Sequence, residues 1–296
     1  MFVLFAPFGE VLTAMVTPFL PNGEVNYRKA AELALYLAEN GSDGLVLSGT
    51  TGESPTLTKE EKLELFHVVV AAVRGKAKVV AGTGSNDTKQ TVQFTRQAAG
   101  CGVDGIMLVT PYYNKPSQEG LYQHFAAVAG AVSLPVMLYN VPGRTGVNML
   151  TETTLRLAEL SNVVAVKEAS GDLEQIARLC AGAPAGFAVY SGDDGMTFPV
   201  LAIGGCGVVS VAGHVAGREI KEMIRAFSVG DMERARFMHH RLLPLFKVLF
   251  IASNPVPVKA AMNLLGHNLG PVRLPLVALG EAHLKEVQKV LAALGY

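Results

Sequence analysis

The chain has 296 residues, half of them apolar and only 17% charged, so it can bury a large core. Its 25 basic and 25 acidic side chains cancel, leaving no general field to attract nucleic acid or an anionic membrane, and small-molecule chemistry fits better. The three cysteines, Cys101, Cys180 and Cys206, are widely spaced without a CxxC pair, as expected of reduced thiols in a cytoplasmic protein.

In chain order, the apolar start MFVLFAPF lacks a basic leader and a cleavage site, and reads as ordinary structure. Eight short runs rich in Val, Ile, Leu and Met come next: VLTAMVTP, GLVLSG, KVVAGTG, DGIMLVTP, PVMLYN, VVAVKEA, FAVYSGD and GVVSVAG. They begin roughly 20 to 35 residues apart and alternate with segments of helical period such as Tyr27 to Asn40 and Lys59 to Val73. Continuous apolar runs suit parallel strands covered on both faces, and right-handed crossovers then leave a closed barrel or a doubly wound sheet. Eight units favour an α/β fold of the (β/α)8 TIM-barrel type.

Helix starts are marked by Asn26 and by Thr58, which with Glu61 has capping-box spacing. From about Gly217 onward only helical periodicity remains, with helices expected over Asp231 to Ile251, Pro257 to Leu265 and Leu276 to Leu294, punctuated by NPVPVK and LGPVRLP. The expected division is a catalytic barrel over 1–228 and a C-terminal helical extension over 229–296. Apolar stretches such as LLPLFKVLFIA are interrupted well before about 18 residues accumulate, so no membrane span is expected.

Active sites of such barrels lie at the C-terminal ends of the strands. This sequence places polar groups there: Gly49-Thr50-Thr51-Gly52-Glu53, Thr110-Pro111-Tyr112-Tyr113-Asn114, Tyr139-Asn140, Lys167-Glu168 and Ser191-Gly192-Asp193-Asp194. Lys167 is the most informative. Side chains alternate along a strand, so it shares a face with the small Ala165 and Ala169, while Val166 and Glu168 point the other way. Burial disfavours an ammonium ion and exposes the nitrogen lone pair that imine formation with a keto acid requires. A strand-end lysine can also simply reach out to water. Hydroxyls at the neighbouring strand ends, suited to relaying protons and holding a carboxylate, favour the chemical reading.

The GTTGE segment is either a plain glycine-bounded turn or a set of backbone amides at a helix entrance that receives a carboxylate. Likewise Asn140-Val141-Pro142-Gly143-Arg144-Thr145-Gly146 is either a loop with a solvated arginine or a clamp for a second carboxylate.

Together the segments TAMVTPF, GTTGES, VTPYYNKPSQEG, YNVPGRTG, VAVKEASGD, GGCGVVSV, NPVPVKAA and RLP, in this order, resemble the dihydrodipicolinate synthase and N-acetylneuraminate lyase family over nearly the whole chain. The threonine pair, the tyrosine pair and the arginine of YNVPGRTG look like the dihydrodipicolinate-forming branch rather than the sialic-acid lyases. The resemblance implies a Schiff-base lyase that condenses pyruvate with L-aspartate 4-semialdehyde on the route to diaminopimelate and lysine. Carried over by position, Lys167 would form the imine, Tyr139 would transfer protons, and Thr50 would link Tyr139 to Tyr113. Thr51 would bind the pyruvate carboxylate and Arg144 that of the semialdehyde, with the backbones of Gly192 and Val209 shaping the pocket. It further implies that Tyr113 completes the site of a neighbouring subunit, in a tight dimer and commonly a tetramer of two dimers. No metal and no other cofactor is called for.

Two departures stand out. Ser210-Val211-Ala212-Gly213-His214 has histidine where the family usually has asparagine, and His214 is expected to be structural. Lys59 and Lys62 stand where lysine-inhibited relatives carry histidines, and Gln90 where they carry an acid. Extra cations and a lost carboxylate repel a lysine ammonium, so weak inhibition by L-lysine is expected, although Ser54, Asn86 and Tyr112 remain as contacts.

The nearest rival is another pyruvate-dependent aldolase of the same family, which Arg144 disfavours because a sugar tail needs hydroxyl partners. A phosphate-handling barrel is disfavoured by the acids Asp193 and Asp194. A metal-dependent aldolase lacks a ligand set, since His239-His240 reads as packing. A non-catalytic binding barrel would not need the full set of lysine, tyrosines, threonines and arginine.

Overall fold

The computed structural model describes residues 5–296. Eight parallel strands close into a barrel in chain order: β1 Val11–Ala14, β2 Gly44–Leu47, β3 Lys78–Gly82, β4 Gly105–Val109, β5 Val136–Asn140, β6 Val163–Glu168, β7 Ala188–Ser191 and β8 Gly207–Ser210. β8 pairs with β1, Val209 opposite Leu12, which leaves no open edge. The expected TIM barrel is thus present, and the eight apolar runs are its eight strands. Of the apolar start, residues 1–4 lie outside the described residues, whereas Phe8 packs inside the lower end of the barrel.

The runs are continuously apolar because each strand serves two cores. Leu45, Leu47, Ile106, Leu108, Leu138 and Val166 face outward into the layer beneath the helices. Leu12, Val46, Val80, Met107, Met137 and Ala165 alternate with them and fill the barrel. Each fully buried aliphatic side chain contributes about 1.5–3 kcal/mol, so both faces stabilise the barrel. Phe8 closes the bottom, and β4 must begin with glycine there: a Cβ on Gly105 would lie 2.5 Å from the Phe8 ring. The Tyr190 hydroxyl donates to Gly9 O at 2.9 Å and ties the same end shut.

The helices follow their amphipathic patterns. Helix Tyr27–Glu39 buries Ala30, Leu33, Ala34 and Leu37 along one stripe, and Asn26 accepts from the Lys29 amide at its start. Helix Lys59–Val73 begins with a complete Thr58–Glu61 capping box. After the helix Gly213–Ser228 come three more, Met232–Val248, Val256–Leu264 and Glu281–Leu294. The last is shorter than expected. It starts at Glu281 behind Gly280; Leu274 and Pro275 form a turn and residues 276–280 are irregular, with Val277 exposed rather than continuing the apolar stripe. The loop at 142–145 is in turn more regular than expected, a single helical turn led by Pro142. No helix among the described residues is long and apolar enough to cross a membrane.

Candidate active site

Lys167 lies one residue from the C-terminal end of β6 and points into the barrel mouth, with Ala165 below it on the same face. Only 5% of it is exposed, and among the described residues no carboxylate pairs with it. Its register partner on β5 is Tyr139, whose ring centroid is 4.2 Å from Nζ. An amine in this setting is held against an aromatic face, with a small aliphatic side chain on the same face of its strand.

The opposite faces of the same two strands hold that pair in place. Asn140 and Glu168 are register partners pointing outward, and Asn140 Nδ2 donates to both Glu168 oxygens at 3.1 Å. The Ser170 amide donates to the same carboxylate at 2.8 Å, and Asn148 and Gln175 complete the cluster. Burial raises the pKa of Glu168, and its hydrogen-bond donors offset part of that rise. Glu168 is therefore a strand clamp rather than a partner of the amine, as its strand parity implies.

A cavity of about 480 Å³ is lined by Thr50, Met107, Tyr112, Tyr139, Val141 and Arg144 among others, and it meets the lysine through Tyr139, whose ring lies against Nζ. Arg144 sits exposed on the turn after β5, and no acid among the described residues engages it. The Gly49–Glu53 turn lies across the mouth. Among the described residues, the amides of Thr50, Thr51 and Gly52 donate to no protein acceptor, which leaves three N–H groups for an anion. These amides belong to a turn and not to an α-helix entrance. The turn passes through a 3-10 segment at Ser54–Thr56, and the α-helix begins only at Lys59.

Gly192 follows β7, the neighbour of the lysine strand, whereas Val209 lies one strand further on, in β8. The Gly192 amide donates to Glu168 O at 2.7 Å, and a Cβ at that position would meet Ala169 at 2.6 Å, so this wall is backbone. Val209 faces the interior from β8. Tyr113 stands apart. It is 89% exposed with φ of +73°, and no hydrogen bond joins it to Thr50 or Tyr139 within the chain. Positive φ in a tyrosine is strained backbone that the surrounding loop must enforce.

Acids and histidines at the rim have structural partners. Asp194 is buried and accepts from the Ser210 hydroxyl and from the amides of Val211 and Ala212 at 3.0 and 2.9 Å. Its carboxylate occupies amides after β8 that a phosphate-binding barrel would offer to its ligand. His214 bridges β8 to the end of β1: Nδ1–H donates to Val211 O at 2.8 Å, and Nε2 accepts from the Val16 amide at 3.1 Å. His239 packs against Phe198 and Phe246.

Burial disfavours the charged ring and holds the His214 imidazole down at about 4. The unfolded chain takes up a proton at the ordinary histidine value of about 6.5 while the folded chain does not. This residue therefore makes stability fall as the pH drops from about 6.5 to about 4, by up to about 1.4 kcal/mol per pH unit, with no further loss below. Thermal unfolding of His214→Asn should be flatter than that of the parent across this window. Parallel curves for the two proteins would contradict the assignment.

The GTTGE, NPVPVK and RLP segments meet one another in the fold, contacts that none of the three motifs announces in the sequence. Lys259 Nζ donates to Glu53 Oε1 at 2.8 Å, and the Arg273 amide donates to Glu53 Oε2 at 2.9 Å. Asn254 Nδ2 donates to Thr51 Oγ1 at 2.9 Å. The signal that could have suggested this is a buried-looking acid in one motif and a lone lysine in an apolar segment of another.

The family model of the dihydrodipicolinate synthetase family matches residues 7–294. A 4-hydroxy-tetrahydrodipicolinate synthase of Moorella thermoacetica is 57% identical over 97% of this chain and 97% of its own length. Among solved structures, a dihydrodipicolinate synthase of Cyanidioschyzon merolae with lysine bound superposes with a TM-score of 0.96 at 51% identity, covering 98% of this chain and 99% of that one. A dihydrodipicolinate synthase of Bacillus anthracis reaches a TM-score of 0.95 at 49% identity, covering 97% of this chain and 98% of that one.

Proposed function

The chain belongs to the dihydrodipicolinate synthetase family and condenses pyruvate with L-aspartate 4-semialdehyde to 4-hydroxytetrahydrodipicolinate in lysine and diaminopimelate biosynthesis; from that premise we propose which of its residues carry the reaction. Lys167 Nζ adds to the ketone carbon of pyruvate and water leaves, giving an imine. Loss of a methyl proton from that imine gives an enamine, whose carbon attacks the aldehyde of the second substrate. The amino group of the adduct then displaces Lys167 as the ring closes. The observation that carries this reading is the inward, buried position of Lys167 against the Tyr139 ring.

Tyr139 moves protons during imine formation and carbon–carbon bond formation, since its ring touches the amine and it lines the cavity. Thr51 and the free amides of its turn hold the pyruvate carboxylate. The Gly192 backbone and Val209 wall the pocket. Steady-state turnover with pyruvate and L-aspartate 4-semialdehyde tests the whole assignment, and turnover with neutral aldehydes in preference to the semialdehyde would favour a different pyruvate-dependent aldolase.

Arg144 binds the carboxylate of the semialdehyde through its two parallel N–H donors. Charged hydrogen bonds of this kind contribute about 1.5–3 kcal/mol, so Arg144→Ala should raise KM for the semialdehyde about 10- to 100-fold. KM for pyruvate should move within about threefold, because the lost interaction is not made to it. Equal increases for both substrates would refute the role.

Thr50 and Tyr113 form the outer part of a hydroxyl relay from Tyr139, with Tyr113 supplied to the site of a second copy. A fully exposed, strained tyrosine is suited to burial in a partner. The working assembly is then a tight dimer, and two such dimers make a tetramer. The reaction takes place in the cytoplasm, where the unbridged Cys101, Cys180 and Cys206 stay reduced. Residues 229–296 act as an extension that braces the mouth of a barrel spanning 1–228.

Inhibition by L-lysine is weak. Lys59, Lys62, Ser54 and Gln90 are among the cavity's lining residues, and Lys62 Nζ lies 5.6 Å from the Phe94 ring. Burial, with the neighbouring Lys59 charge, pushes Lys62 down to about 8. At neutral pH two cations therefore oppose an incoming ammonium. Half-inhibition at L-lysine concentrations below about 1 mM, a binding free energy near 4 kcal/mol, would contradict this reading.

A further inference from the structure

Besides its contacts with Glu53, the C-terminal segment reaches the turn across the barrel mouth at the Thr51 hydroxyl. Thr51 is 3% exposed and Asn254 6%, and Asn254 Nδ2 donates to Thr51 Oγ1 at 2.9 Å. The other end of the amide, Oδ1, is buried and accepts from no group among the described residues. An apolar side chain of similar size would fill the same space without stranding an acceptor, so packing does not account for an asparagine here.

The direction of the hydrogen bond does. Because Asn254 supplies the proton, Thr51 Oγ1 is an acceptor in that contact and its own proton remains free. With the amide reversed, Thr51 would donate to Asn254 and offer only lone pairs elsewhere. A carboxylate accepts and never donates when ionised, so only the first arrangement can hold one. The turn that carries Thr51 is fixed independently of Asn254. Thr17 Oγ1 donates to Gly52 O at 2.7 Å, and the buried pair of Glu53 with Lys259 anchors the next residue. Asn254 is thus not needed to place the Thr51 backbone.

We propose that Asn254 is a positioning residue for pyruvate: it fixes Thr51 as a hydrogen-bond donor to the substrate carboxylate. The inference rests on the reading above that Thr51 holds that carboxylate.

The test is borohydride trapping of pyruvate on Lys167 over a range of pyruvate concentrations, read by mass spectrometry. Asn254→Asp keeps the shape but presents acceptors, drawing the Thr51 proton away from the substrate. Half-saturating pyruvate should rise about tenfold or more, with labelling still complete at saturation. Asn254→Ala removes the donor without adding an acceptor and should shift half-saturation less, by about threefold. In a Thr51→Val background Asn254→Ala should add nothing further, since its effect acts through the hydroxyl. An unmoved half-saturation in Asn254→Ala, or an equal shift with and without Thr51, overturns the proposal. Should Asn254→Asp fail to fold, the alanine variant and the cycle with Thr51 decide alone. Failure of the unaltered protein to take label at Lys167 would instead defeat the imine reading itself, so the two failures are distinguishable.

Discussion

Lys167→Ala should lose condensation almost completely, with kcat/KM falling on the order of 10⁴-fold or more, because the covalent route disappears with the amine. The effect should be chemical and not a failure to fold. Lys167 makes no ion pair among the described residues, so truncation strands no buried charge. The clamp on the outer face, Asn140 with Glu168, is untouched and should keep β5 and β6 in register. Lys59 and Lys62 line the cavity, Lys62 over the Phe94 ring, and neither stacks on Tyr139 as Lys167 does, so they should not substitute. The check is a coupled assay with both substrates beside a thermal melt. Retention of more than about one hundredth of the parent kcat/KM would show that turnover does not pass through this nitrogen.

Lys259→Met should be the most destabilising single change at the site, by about 3–5 kcal/mol, because it leaves the Glu53 carboxylate buried without its counter-ion. Both side chains are almost wholly inaccessible, at 2% and 1%, and Lys259 also donates to Pro271 O and lies over the Phe19 ring. Glu53 itself sits at φ of +56°, a strained position for a non-glycine residue, so the ion pair also supports the turn that presents Thr51. The double variant Lys259→Met with Glu53→Gln should recover part of the loss, since an uncharged amide costs less to bury than a lone carboxylate. Denaturant unfolding measures both. A single variant within about 1 kcal/mol of the parent would mean that the pair contributes little to the fold.

The barrel was legible because parallel strands buried on both faces must be apolar throughout, and eight such runs leave a distinctive rhythm. The candidate site was legible for a related reason. Barrel topology brings every strand end to one rim, so residues as far apart as Thr50, Tyr139 and Lys167 could be grouped before any geometry was known. Contacts that depend on side chains meeting only after closure were not legible. Glu53 and Lys259 are 206 residues apart, Asn254 and Thr51 203, and His214 and Val16 198. Nothing local in the chain encodes those pairings. LPLVALGEAHLKEV keeps apolar spacing across Gly280, so the sequence predicts a helix from Leu276, whereas Gly280 is extended and caps a helix that begins at Glu281. Tyr113 is the converse case. Its residue type pointed to the site, yet a single chain leaves it exposed, so the relay role proposed for it requires a second copy.

Reduction with borohydride in the presence of pyruvate tests the central claim most directly. A stable adduct of one reduced pyruvate unit on the peptide that contains Lys167, absent from Lys167→Ala, is the expected result. An unmodified Lys167 peptide under saturating pyruvate, in protein that still turns over, would contradict the account.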